Sequence, residues 1–278
     1  MDEAGAAEVE QIIRLVAERE ILPRFGYLNA ADIAEKAPGD LVTVADRAAE
    51  AALHEKLTAL LPGSLVVGEE AVGLDRAALG ALTGDSPVWI IDPIDGTQSF
   101  VADSPRFTTL VALAQAGELL ASWTYAPVFD LMATARAGHG AYVDGRRLQV
   151  AAPREGLRHL DVCVCQPHWW TPTERRWFNQ LSTTGVALSF FDVTGLEYVE
   201  LAAGRQSAMV INWEYPWDHA AGLLLHAEAG GAGAGPAGEP FRLAGGNVLP
   251  YVLGPDSRTV AAIQAALAGK PAAALPTS

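Results

Sequence analysis

The sequence predicts an α+β N-terminal half followed by an α/β C-terminal half, with the change of pattern near residue 150. Three observations carry that expectation. Apolar residues recur at helical spacing in two long N-terminal stretches. Short β-rich segments punctuated by Gly and Pro follow, as in an antiparallel meander. Beyond residue 151 strand-like and helix-like segments alternate, the pattern of an α/β unit. The chain has 278 residues, half of them hydrophobic, enough for one large or two medium domains. These read as 1–150, carrying Asp46, Glu69 and the Asp92–Thr97 motif, and 151–278, carrying Asp218.

Residues 8–24 place Val9, Ile12, Ile13, Val16 and Ile21 close to helical spacing and read as an amphipathic helix. Residues 27–40 contain Asn, Pro and Gly and read as a loop with Lys36 near its middle. A second helix, 43–61, stops at Pro62-Gly63. A short strand at 64–67 leads into Gly68-Glu69-Glu70, and the apolar run Val88-Trp89-Ile90-Ile91 ends abruptly at Asp92-Pro93. The meander follows at 107–113, 119–125 and 131–135, with Asp144-Gly145 as a hairpin turn before Arg146. The C-terminal half reads as strand 162–165, helix 173–181, strand 186–190, helix 196–203, strand 207–211 and helix 217–229. A Gly/Ala-rich loop at 230–238 precedes a last strand at 247–253 and a last helix at 257–268. The tail 270–278 is expected to be disordered.

Composition excludes several function classes. Net charge is −14 and no basic run is longer than Arg146-Arg147, so a positive patch for nucleic-acid polymers or anionic membranes is not expected. No apolar run approaches the length of a spanning helix. The N-terminus lacks a basic segment followed by an apolar one, which points to a cytoplasmic location. Cys163 and Cys165, two apart on one strand face, cannot comfortably form a disulfide and read as buried hydrophobes. If the substrate is an anion, this acidity needs divalent cations held by carboxylates to invert the local field.

The chemistry concentrates in Trp89-Ile90-Ile91-Asp92-Pro93-Ile94-Asp95-Gly96-Thr97. A buried strand delivers two carboxylates three residues apart at its C-terminal end, and Pro93 stiffens the turn between them. Gly96 can adopt positive φ or let a ligand approach the backbone. A helix opening near Thr97 would offer free N–H groups to phosphate. Hard oxygen ligands beside an anion cradle suit a magnesium phosphatase. Bland readings exist for each part. Asp-Pro-x-Asp-Gly is often only a capped loop, Glu69-Glu70 could be a solvated pair, and Asp218 could serve the helix it opens. Their joint occurrence in this order is far less common than any one alone.

These segments resemble the inositol monophosphatase family of lithium-sensitive, magnesium-dependent phosphatases. The likeness runs from Asp40-Leu41-Val42-Thr43-Val44-Ala45-Asp46 to Glu228-Ala229-Gly230-Gly231 and includes Trp217-Asp218-His219-Ala220-Ala221-Gly222. The resemblance implies a layered αβαβα sandwich, as in inositol monophosphatase and fructose-1,6-bisphosphatase, with metals in the cleft between the halves. It implies that Glu69, Asp92 and the Ile94 carbonyl hold one Mg2+, that Asp92, Asp95 and Asp218 hold a second, and that a third, weaker ion uses Glu69 and waters. Thr97 and Asp46 would orient and deprotonate the attacking water with help from Glu69. The Gly96 and Thr97 amides would hold phosphate oxygens, with Asp95 and Asp218 beside the substrate. A homodimer is also implied.

The departures concern the substrate. Gln98-Ser99-Phe100 stands where the family usually continues Thr-Asn-Phe, and Asp192-Val193-Thr194-Gly195 replaces a Gly-Ser-Ala stretch that lines the inositol pocket. The acidic residue that binds sugar hydroxyls aligns with Ile211, Glu214 could replace it only through a loop shift, and Ser207 stands where many members carry Asp. The expected reaction is therefore hydrolysis of a small phosphate monoester. Inositol phosphate is the first candidate; fructose 1,6-bisphosphate, histidinol phosphate and 3′-phosphoadenosine 5′-phosphate are alternatives, and a silent regulatory binding protein is the non-enzyme alternative. Glu70 reads as an outer residue, and His219, about 100° round the helix from Asp218, as packing. Asp103 and His139 read as loop residues. Trp169 and Trp170, beside His168, read as packing or a substrate lid.

Overall fold

The protein was analysed as a computed structural model that describes residues 2–269, so the tail expected to be disordered lies outside the described residues. Helix α1 (Glu3–Val16) is capped by Asp2, whose carboxylate accepts from the Gly5 amide at 2.9 Å, and it continues as a π-helical turn at Ala17–Ile21. Residues 27–40 are more ordered than their composition suggests. Strands β1 (Ile33–Ala37) and β2 (Asp40–Thr43) pair there as an antiparallel hairpin turned at Gly39, with φ +80°. Exposure of β1 removes the alternating apolar signal that would have revealed it. Helix α2 (Val44–Leu60) starts in a capping box in which Thr43 and Asp46 each serve the other's backbone.

The first sheet then forms from β3 (Leu65–Gly68), followed by the short helix α3 (Glu69–Leu74), and β4 (Val88–Asp95), followed by the single-turn helix α4 (Thr97–Val101). It is completed by β5 (Thr108–Gln115), β6 (Glu118–Ala126), β7 (Leu131–Arg136), β8 (Gly140–Val143) and β9 (Arg146–Arg147). The seven strands lie in chain order, with β3 parallel to β4 and the rest an antiparallel meander. Both residues of the last turn, Asp144 and Gly145, have positive φ, as a two-residue hairpin requires.

The second sheet holds β10 (Asp161–Val164), then α5 (Pro172–Ser182), β11 (Ala187–Phe190), α6 (Thr194–Ala202), β12 (Ala208–Ile211), α7 (Pro216–Glu228), β13 (Ala232–Ala234) and β14 (Tyr251–Gly254), closed by α8 (Ser257–Leu267). Its order is β11-β10-β12-β14-β13, with β10 parallel to β11 and β12, and β14 antiparallel to both neighbours. Two expectations change here. The Gly/Ala-rich stretch contains edge strand β13, formed by pairing with β14 and not by propensity. The last strand starts at Tyr251 rather than 247, just after Pro250, which has no N–H to donate to a ladder.

Five layers result. Helices α1 and α2 cover one face of the first sheet, where Trp89, Ile91, Val111 and Trp123 pack against Ile13, Ala49 and Leu53. Helices α6 and α7 cover the other face and also reach the second sheet, while α5 and α8 close the outside. This is the αβαβα sandwich. The middle helices come from beyond residue 151 yet pack on strands from before it, which carries Asp218 to the first sheet's carboxylates. No described helix is long and apolar enough to cross a membrane.

Candidate active site

The site forms where β3 and β4 end and α3, α4, α6 and α7 begin. All eight residues of β4 are buried, so its carboxylates emerge from a dry, rigid strand. In a regular strand Asp92 and Asp95 would point to opposite faces. The β4–β5 register shifts between them, and that bulge, which also accommodates Pro93, brings both to one pocket.

Asp95 is fully engaged. Its Oδ2 accepts from the Thr108 hydroxyl and the Gly195 amide, both at 2.7 Å, and its Oδ1 accepts from the Thr194 amide at 3.1 Å. A Cβ at Gly195 would stand 2.5 Å from the Thr108 hydroxyl, so the segment departing from the usual pocket sequence exists to approach Asp95. Val193 packs against Gly96, whose φ of +89° requires the left-handed region. Asp92 contrasts with Asp95, for its Oδ1 is buried with no hydrogen-bond partner. Asp218 accepts from the Trp213 indole N–H, and Trp213 is a contact that sequence reading missed.

Asp46 and Thr97 meet as expected. The Thr97 hydroxyl lies 3.3 Å from Asp46 Oδ1 and 3.0 Å from the Ile94 carbonyl, and shares its proton between them. The other oxygen of Asp46 accepts from the Thr43 amide at 2.8 Å and from its hydroxyl at 2.5 Å.

Glu69 opens α3 beside a feature the sequence did not assign a role. Lys36 of the hairpin donates to Glu69 at 2.6 Å and to Glu70 at 3.0 Å, and lies 3.6 Å from Asp40. Glu50, also missed, accepts from the Glu70 and Ala71 amides at 2.8 and 2.9 Å, satisfying the free N–H groups of α3. A signal for it existed: Glu50 sits four residues from Asp46 on the buried face of α2, where an unpartnered carboxylate is not tolerated.

Burial dominates the electrostatics. It pushes Asp46 up to about 6 against the hydrogen bonds from Thr43, and Glu69 up to about 7 against the opposing charge of Lys36. Asp92 and Asp218 are held well above the usual carboxylate range by burial and then by repulsion from Glu69 and Asp95. Asp95 rises by burial despite its three donors. Five carboxylates thus crowd one another in a dry pocket. Among the described residues no three acidic, His or Cys side chains already converge as a metal cage. The donor set nonetheless fits a hard cation: its oxygens repel one another, and one of them, on Asp92, is buried without a partner.

Glu69 and Asp218 open into a cleft of about 510 Å³ whose walls also include Lys36, Arg47, Arg76, Tyr215 and Trp217. Tyr215 stacks on Trp217 with planes 7° apart. Glu214 faces elsewhere, accepting from the backbone and side-chain N–H groups of Asn247 at 2.8 and 3.1 Å. His219 is buried against Tyr198 and Trp213, and burial lowers its pKa to about 3, so it packs. Cys163 and Cys165 are free and buried, and Asp103 is a turn residue with φ +55°.

The profile of the inositol monophosphatase family matches residues 5–273. Inositol-1-monophosphatase of Mesorhizobium japonicum is 33% identical over 220 residues, spanning 77% of this chain and 79% of that protein. The fructose-1,6-bisphosphatase/inositol-1-monophosphatase of Aquifex aeolicus is 31% identical, spanning 84% and 86%. The extragenic suppressor protein suhB of Bartonella henselae superposes with a TM-score of 0.79 at 26% identity, spanning 94% of this chain and 98% of that one. A bulged strand, a buried carboxylate cluster and a full-length sequence match agree. This chain belongs to the inositol monophosphatase family and is a phosphoric monoester hydrolase.

Proposed function

We propose that the chain hydrolyses a small phosphate monoester with magnesium, by direct attack of water. The carrying observation is the Asp46–Thr97–Ile94 hydrogen-bonded chain beside the carboxylates Glu69, Asp92, Asp95 and Asp218. Glu69, Asp92, Asp95, Asp218 and the Ile94 carbonyl would hold two or three Mg2+ ions. Bound there, the ions would supply charge neutralisation and Lewis-acid activation. Thr97 orients the nucleophile by accepting its hydrogen bond while donating to Asp46. Asp46, raised to about 6, is matched to take a proton near neutrality. The amides of Gly96 and Thr97, at the start of α4, receive phosphate oxygens. Asp95, held rigid by Thr108, Thr194 and Gly195, keeps its orientation as charge develops.

Inositol monophosphate is the first substrate to test. The cleft wall favours a second reading in which the ester carries another anionic or flat group, because Arg47, Arg76 and the Tyr215–Trp217 stack line it. Fructose 1,6-bisphosphate and 3′-phosphoadenosine 5′-phosphate have that chemistry. Phosphate release from these esters and histidinol phosphate, with Mg2+ and with chelator, tests both readings. Magnesium-dependent turnover of inositol phosphates supports the first, and preference for a bisphosphate supports the second. No turnover of any of these esters refutes both substrate readings. A cytoplasmic homodimer is the assembly proposed, to be checked by solution mass and fractionation.

A further inference from the structure

Gly39, at the tip of the β1–β2 hairpin, is gripped from two sides. The side-chain amide of Gln98, from α4, donates to its carbonyl at 2.7 Å. The indole of Trp169, from the turn after β10, lies so close that a Cβ on Gly39 would stand 2.7 Å from its ring. Trp169 is 49% exposed, so its ring reaches Gly39 from outside the core. Its neighbour Trp170 is fixed in the second core, donating to the Cys165 carbonyl at 2.9 Å and packing on Phe178, so Trp169 projects from a rigid base. The hairpin it meets carries Lys36, which sits on Glu69 and Glu70. Gln98 directly follows Thr97. Segments from the second sheet, the α4 turn and the hairpin thus meet at one glycine.

We propose that Trp169 and Gln98 are positioning residues that clamp the β1–β2 hairpin, holding the Lys36 ammonium against Glu69 and Glu70 and so setting how tightly those carboxylates take up a divalent cation. The clamped ammonium competes with the cation for the same oxygens. Releasing the clamp lets Lys36 move away, and cation affinity rises. The inference rests on the metal ligation proposed above, but its readouts require no substrate.

The test uses the full chain stripped of metal, with Mg2+ itself as the probe. Trp169→Ala and Gln98→Ala are expected to accelerate amide exchange in residues 33–43 and, in calorimetric titration, to tighten Mg2+ binding by about 2–5-fold, the scale of a partly exposed ion pair. Lys36→Met is expected to tighten binding similarly. Adding Trp169→Ala to Lys36→Met is expected to change affinity no further, since both act through the same ammonium. Trp169→Phe, which keeps an aromatic ring over Gly39, restores wild-type behaviour and separates the clamp from a general folding defect. Unchanged exchange and affinity in Trp169→Ala overturns the proposal. So does faster exchange with unaltered affinity, or an effect that simply adds to that of Lys36→Met. Absence of any Mg2+ binding overturns the ligation beneath it, a separate and recognisable failure.

Discussion

Glu50 offers a sharp test of how the site is assembled, because it touches no candidate substrate group yet holds the helix that presents Glu69. Glu50→Ala deletes two hydrogen bonds to the Glu70 and Ala71 amides. Bonds of this charge-assisted kind contribute about 1.5–3 kcal/mol each, so the gross loss is about 3–6 kcal/mol. Part returns, because burial raises the pKa of Glu50 and its removal relieves that desolvation. The net destabilisation is about 2–3 kcal/mol, or a Tm fall of about 3–6 °C for a chain of this size. Activity should fall further than stability. The deletion also leaves a void beside Gly68, where a Cβ would lie 2.4 Å from the Glu50 carboxyl carbon, so α3 is free to shift. A displacement near 1 Å can cost on the order of 100-fold in rate. Glu50→Gln keeps one acceptor and should show about half the destabilisation of Glu50→Ala. Calorimetry with phosphate-release kinetics decides. A Glu50→Ala protein with wild-type Tm and kcat refutes the reasoning.

Asp92→Asn removes the charge of a site carboxylate that has an oxygen buried without a partner, and turnover should drop by several orders of magnitude in steady-state assays; a near-normal rate would contradict the proposed chemistry. In metal-free protein the raised carboxylates make the native state hold more protons than the unfolded chain between about pH 4 and 7, so stability is greatest at the acid end and is lost as pH rises. Asp46 alone, moved from its ordinary 3.8 to about 6, contributes about 3 kcal/mol of stability that is lost as pH rises through that range. Thermal melts in chelator should therefore fall from pH 5 to 7.5 and flatten when Mg2+ is added; a flat profile in chelator would count against the crowded-carboxylate reading. Lithium at millimolar levels should inhibit phosphate release if it replaces a magnesium ion, and an unaffected rate would show that the site is built differently from the family's expectation.

Sequence alone determined the parts of this protein that depend on local chemistry. Apolar periodicity located the principal helices and the meander, because burial of one face is written in residue spacing. The Asp92–Thr97 segment, a capped loop when read alone, was legible because it occurs in one chain with Glu69-Glu70 and the Trp217–Gly222 segment, in the family's order. Asp218 was legible for the same reason, at the opening of α7. Tertiary structure decided the rest. Strand β13 exists through its neighbour, and its Ala-Gly-Ala sequence has no preference to announce. Lys36 and Glu50 look like ordinary polar residues until folding brings them to α3 across 33 and 20 residues. The Asp192–Gly195 segment, read as a lost polyol wall, proved to be the donor pair for Asp95 because α6 packs on the first sheet. A side chain's residue type is local, but its partner is set by how layers stack, and single-sequence periodicity carries no record of that distance.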